Sequence, residues 1–111
     1  MNTAIEGALY IRSANNSRIS LASQRLAGEK YAKQNSLSLN IIEDAKSSGA
    51  TPFSERAGLR RLVHLIEDGQ AKIVIVNSLT RISRDVNQIR SFGLLIEKHN
   101  AKLIVLDEEE V

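Results

Sequence analysis

Residues Ile73-Val74-Ile75-Val76 form an unbroken β-branched block, and no other feature constrains the fold of this chain more. Four such residues in succession offer water no polar face, so the strand they predict is covered on both sides. Such a strand belongs to a parallel sheet with helices above and below it, and the rest of the chain reads accordingly. Apolar runs at 8–12, 37–42, 72–79 and 102–106 alternate with three stretches of helical period. The first stretch, 19–34, carries Ile19, Ala22, Leu26 and Ala27 along one stripe. The second, 55–68, spaces Leu59, Leu62, Val63 and Ile66 for a helix, with Ser54 as N-cap and Gly69 as the stop. The third, 85–99, turns Val86, Ile89, Leu95 and Ile96 inward and ends near Asn100. The expected class is α/β: a mainly parallel sheet of about four strands flanked by helices.

At 111 residues the chain has the size of one domain with a single core. Aromatic residues make up only 4% of it, so the core must come from Leu, Ile, Val and Ala. There is no cysteine, hence no disulfide framework and no thiolate metal site; that usage suits a cytoplasmic location. Residues 1–8 carry no signal-peptide pattern, and no apolar run approaches the roughly 20 residues that span a bilayer. The net charge of +2 argues neither for nor against nucleic acid. Phosphate affinity has to come from where the arginines cluster.

In parallel sheets flanked by helices, functional residues gather beyond the carboxyl ends of the strands. The first strand ends at Arg12, the second run leads to Glu43 and Asp44, and the third runs into Thr80-Arg81-Ile82-Ser83-Arg84. Arg81 and Arg84 are three apart and share a face on a helical turn. Arg56 opens the second helix, after a loop at 46–53 that holds Ser47, Ser48, Gly49 and the only proline, Pro52. Guanidinium groups converging there would grip a phosphodiester in planar forks and offset charge on its non-bridging oxygens during transfer.

Five segments, in order, resemble the catalytic domain of serine site-specific recombinases, the resolvase and invertase family. Tyr10-x-Arg12 resembles the opening Tyr-x-Arg-x-Ser, and Ser20-Leu21-Ala22-Ser23-Gln24 the Ser-Leu-x-x-Gln of the first helix. Asp44 with Ser48-Gly49 is similar to the mobile-loop motif. Arg56-Ala57-Gly58-Leu59 and Leu79-Thr80-Arg81-Ile82-Ser83-Arg84 resemble the two later ones. The resemblance covers nearly the whole chain. It implies that 1–111 is a resolvase-like catalytic domain, truncated before a long dimerisation helix and a DNA-binding region. It further implies DNA strand cleavage and exchange through a 5′-phosphoserine, with no metal and no cofactor. Carried over, Arg12, Arg56, Arg81 and Arg84 bind the phosphate, while Asp44 and Gln24 order the site or assist proton transfer. DNA and a homodimer assembling to a tetramer are the implied partners, with no membrane and no small-molecule substrate.

Two positions depart from the pattern. Thr80 stands where small resolvases carry aspartate, and Ala14 stands at the nucleophile position, by substitution or by natural loss. Alternation along a strand puts Tyr10, Arg12 and position 14 on one face and Ser13 on the other with Ile11. Ser17, in the loop to the first helix, is a second hydroxyl nearby. The competing reading is a non-catalytic DNA-binding or oligomerisation module on the same fold. Asp44-Ala45-Lys46 resembles half of a metal-dependent nuclease motif but lacks an upstream aspartate to complete it. A receiver-like domain needs acidic residues where Arg12 stands. Glycine-rich nucleotide loops are absent, and His64 and His99 have no partners for metal ligation.

Overall fold

A computed structural model of the chain describes residues 5–14, 17–46 and 50–106. Ser47, Ser48-Gly49 and the acidic end at 107–111 lie outside the described residues. Strand β1 (Ile5–Arg12) is followed by helix α1 (Arg18–Gln34), β2 (Leu37–Asp44), α2 (Ala57–Glu67), β3 (Ile73–Val76), α3 (Val86–Lys98) and β4 (Lys102–Val105). The four strands pair in parallel in the order β2-β1-β3-β4. This is the α/β fold that the alternation predicts. After β2 the chain crosses to the other side of β1, so the strand order reverses at the β1–β3 boundary. A crevice opens beyond the carboxyl ends of strands at such a reversal.

β1 and β2 pair along eight residues, from Ile5 with Leu37 to Arg12 with Asp44. Pairing therefore carries β2 two residues past its apolar run and delivers Asp44 beside Arg12. β3 is shorter than its run, because the chain leaves the ladder after Val76 and enters a 3₁₀ turn at Leu79–Arg81. Alternation along β1 divides the core. Ala8 and Tyr10 pack with Ile42, Leu59, Leu62, Ile66, Val74, Val76, Phe92 and Ile96 on the α2 and α3 side. Leu9 and Ile11 pack with Leu21 and Ile75 on the α1 side.

The helix faces differ from expectation in three places. On α1 the buried stripe is Leu21, Gln24, Gly28 and Ala32, whereas Ile19 and Leu26 are 85% and 68% exposed. The reason is close approach: a Cβ on Gly28 would fall 2.4 Å from a methyl of Leu9. A hydrophobic stripe cannot reveal a face that depends on a missing side chain and a buried amide. On α3, Val86 is exposed and Phe92 takes the inward position. Ser54 does not cap α2; it lies in a 3₁₀ turn at Phe53–Glu55, and Arg56 holds the cap position without a capping hydrogen bond from its side chain. The free amides at that end are met by Asp44, reaching over from β2. Leu59, Leu62 and Ile66 are buried as expected, and Gly69 ends α2 with φ +74°.

Candidate phosphate-binding site

The carboxyl end of β1 is held from both sides. Ser13 N–H donates to Asp44 O at 3.1 Å, which extends the β1–β2 pairing by one bond. On its other side β1 is paired by β3 only from Gly7 to Leu9, so on that side no strand reaches Arg12. The amide of Gln24 takes that place. Its Oε1 accepts from Arg12 N–H at 3.0 Å and its Nε2 donates to Arg12 O at 2.9 Å, with a further bond to Ser20 Oγ at 3.1 Å. A side-chain amide carries its acceptor oxygen and a donor N–H on the same side of one planar group, which lets Gln24 bond both main-chain groups of Arg12 as a neighbouring strand would, with its second N–H left for Ser20. Ser20 and Gln24 are one helical turn apart, so the Ser-Leu-x-x-Gln spacing brings both to this point.

Ser13 is buried, and its Oγ accepts from Ser17 N–H at 3.0 Å; Ser17 Oγ in turn caps α1 by accepting from Ser20 N–H at 3.2 Å. Both hydroxyls that could stand near position 14 serve the start of α1. Ala14 lies exposed in the turn that follows β1.

Arg12 and Arg56 converge on the Leu79–Arg81 turn, and Arg81 reaches back from it. Arg12 donates from Nε to Arg81 O at 3.0 Å and from Nη2 to Thr80 O at 2.7 Å. Arg81 answers with Nη1 to Arg12 O at 3.3 Å. Arg56 is wholly buried. It donates to Ile82 O through Nη1 and to Arg81 O at 2.7 Å and Tyr10 Oη at 2.8 Å through Nη2. Its guanidinium also lies 5.5 Å from the Tyr10 ring centre and 5.4 Å from that of Phe53, within cation–π range. Arg84 is exposed beyond the turn and lines a cavity of about 260 Å³ with Ala50, Asp85 and Gln88. Thr80 is exposed, its Oγ1 2.7 Å from Ser78 Oγ.

Asp44 is the carboxylate of this cluster. It accepts from Tyr10 O–H at 2.6 Å and from the amides of Gly58 and Leu59 at 2.8 and 2.9 Å. A negative group at the first turn of α2 is favoured by the helix dipole as well. Gly58 makes this approach possible, because a Cβ there would lie 2.8 Å from Asp44 Oδ1. The Arg-x-Gly-Leu spacing thus has a local cause: the glycine admits the carboxylate and the next amide binds it.

Positive charge predominates. Burial, followed by the neighbouring Arg56, makes the Arg12 guanidinium more acidic than usual, and burial alone does so for Arg81. Arg84 also acts on Arg12 electrostatically. The Nε atoms of Arg56 and Arg81 are buried with no hydrogen-bond partner among the described residues. Buried cations beside one another raise the free energy of the unliganded state, and an anion placed among them lowers it. Burial, and then Asp44, push the Tyr10 phenol up, which keeps it protonated.

The structure brings Arg12, Arg56, Arg81, Gln24 and Asp44 into one hydrogen-bonded unit, with Arg84 and Ala14 exposed outside it. The Tyr10 hydroxyl joins Asp44 to Arg56 and is not among the site residues expected from the sequence. Its position two residues before Arg12, on the same face of β1, was the available signal. His64 lies exposed on α2, its Nδ1 3.7 Å from Glu67. No group of three or more potential metal ligands occurs among the described residues, and no helix there is long and apolar enough to cross a membrane.

The sequence profile of the family "Resolvase, N terminal domain" matches residues 7–111. The N-terminal catalytic domain of TP901-1 integrase is similar in structure, with a TM-score of 0.82 and 27% identity over 91% of this chain and 77% of that one. The C-terminal catalytic domain of ISC1926 TnpA, an IS607-like serine recombinase, superposes with a TM-score of 0.86 at 22% identity, over 96% of this chain and 71% of that one. A resolvase family site-specific recombinase from Streptococcus pneumoniae gives 0.76 at 24% identity, over 92% and 72%. No curated relative matches the sequence.

Proposed function

Since this chain belongs to the resolvase N-terminal domain family, the catalytic domain of serine recombinases, we propose that its arginine edge receives the scissile phosphodiester of DNA. The observation that carries the reading is the position of Ala14. It is exposed in the turn just past Arg12, at the strand-order reversal where Arg12 and Arg81 clasp each other. A hydroxyl at position 14 would attack phosphorus, lose its proton, and form a 5′-phosphoserine as the bond to the 3′ oxygen breaks. The leaving 3′ oxygen takes up a proton, and the phosphodiester bond energy is kept for rejoining. Arg12, Arg81 and Arg84 hold the non-bridging oxygens and offset their charge in the transition state. Arg56 adds its field from behind, while Gln24 and Asp44 fix the backbone that carries the arginines. In this reading the domain self-associates into dimers and tetramers. Site choice rests with a long helix and a DNA-binding region outside residues 1–111.

Ala14 itself favours a second reading for the chain as it stands: it holds DNA without cutting it, as a binding or assembly module. One experiment separates the two. Ala14→Ser is incubated with a random-sequence duplex in the presence of a chelator, and protein–DNA adducts are sought by denaturing gel and mass spectrometry. A covalent 5′ linkage at position 14, absent from the parent chain, is the expected result. No adduct, or cleavage that needs magnesium, sinks the recombination chemistry. Duplex binding that is lost in Arg81→Ala would then leave the binding module as the function.

A further inference from the structure

Tyr10 stands behind the site and takes no part in the chemistry proposed above. It is wholly buried, and its hydroxyl lies between a carboxylate and a guanidinium. Arginine can only donate and an ionised carboxylate can only accept, so the single phenolic proton points to Asp44 and a lone pair to Arg56. These bonds close a ring. Asp44 binds the amides of Gly58 and Leu59 in the first turn of α2; Arg56 sits at the cap of that turn; and Arg56 returns to Tyr10. Two other Arg56 N–H groups reach the carbonyls of Arg81 and Ile82, in and just after the turn from which Arg81 reaches back to Arg12.

We propose that the Tyr10 hydroxyl is a positioning group of the phosphate site: it fixes Arg56 and, through the carbonyls of Arg81 and Ile82, sets where the Arg81 guanidinium meets Arg12. The inference rests on the reading of that edge as a phosphate site. A hydroxyl that merely satisfies core polarity would, on removal, cost stability and leave Arg81 in place. A positioning hydroxyl moves a side chain that it does not touch.

Tyr10→Phe keeps the ring beneath Arg56 and removes only the O–H. The first measurement uses the chain as it is, without DNA: the Nε–H resonances of Arg12, Arg56 and Arg81 in ¹⁵N spectra, with their rates of solvent exchange. In the variant, the Arg56 and Arg81 resonances both shift and exchange speeds up by as much as about tenfold, the equivalent of one lost hydrogen bond. Side-chain methyl resonances of Leu9, Ile11 and Ile75, in the opposite core, stay put. A change confined to Arg56 overturns the proposal. Arg56→Lys, whose ammonium cannot span Tyr10 and two carbonyls together, is expected to give the same Arg81 shift.

The second measurement adds Tyr10→Phe to Ala14→Ser and compares adduct formation at saturating duplex. A fall of about tenfold or more in the maximal rate, with duplex affinity little changed, is expected of misplaced reacting groups. An unchanged rate in a folded double variant overturns the positioning role. If Ala14→Ser alone forms no adduct, the recombination reading fails, and the Arg81 resonance by itself decides the role of Tyr10.

Discussion

On one face of β1, Leu9 and Ile11 pack with Leu21 and Ile75 against α1; on the other, Tyr10 and Arg12 enter a network of arginine, aspartate and main-chain carbonyls. The apolar face depends on shape. Gly28 lets α1 approach Leu9, and the fit tolerates little added volume. The polar face depends on completed hydrogen bonds, and the loss of Tyr10, Asp44 or Arg56 there strands buried partners. A functional edge can sit on a small domain because the two supports are separate: one anchors the sheet, the other aims the charges.

The largest effect expected on the polar face comes from Asp44→Ala. It strands the Tyr10 hydroxyl and the amides of Gly58 and Leu59 and leaves Arg56 without its nearby anion, so a loss of about 3 kcal/mol is expected. Urea unfolding measures it, and a loss under about 1 kcal/mol would mean that the polar face supports little.

The same face has a signature in alkali. The Tyr10 phenol is a weaker acid in the folded chain than in the unfolded one, owing first to burial and then to Asp44. The stability this represents is fully present below about pH 10. Above it the unfolded chain releases the proton first, and stability falls by up to about 1.4 kcal/mol per pH unit until the folded phenol titrates. Tyr10→Phe removes that component. Parallel pH profiles of the two chains would show that the hydroxyl is not held as described.

On the apolar face, Gly28→Ala sets a gain in helix propensity against crowding of Leu9, which is fully buried and whose side chain a Cβ at 28 would approach to 2.4 Å. A net loss of about 1 kcal/mol is expected in thermal or urea unfolding. A stabilised variant would mean that this face yields more easily than its contacts imply. The smallest change is Leu26→Gln on the outer side of the same helix, expected to stay within about 0.5 kcal/mol because Leu26 is mostly exposed. A larger loss would place Leu26 in the apolar support.

Much of this was legible in the residues. The β-branched block at 73–76 and the stripe of Leu59, Leu62 and Ile66 are legible because apolar burial has a period that sequence displays. The face of α1 is not legible in that way, and on α3 the expectation holds for Ile96 but not for Val86. Ile19 and Leu26 have the composition of a core, while the face that packs is defined by Gly28, Ala32 and Gln24, where the fit depends on size and hydrogen bonding.

By itself, then, the sequence determined a parallel sheet with helices on both sides, the placing of arginines past the strand ends, and a methyl group at position 14. Those features follow from local period, from strand alternation and from residue chemistry, none of which needs a partner distant in the chain. Tertiary structure alone decided that Asp44 caps α2 in place of Ser54, that Gln24 serves as a strand for Arg12, and that the Tyr10 hydroxyl ties Asp44 to Arg56. Those bonds span from 12 to 46 residues, and their geometry exists only once the sheet has set its register and the helices have closed on it.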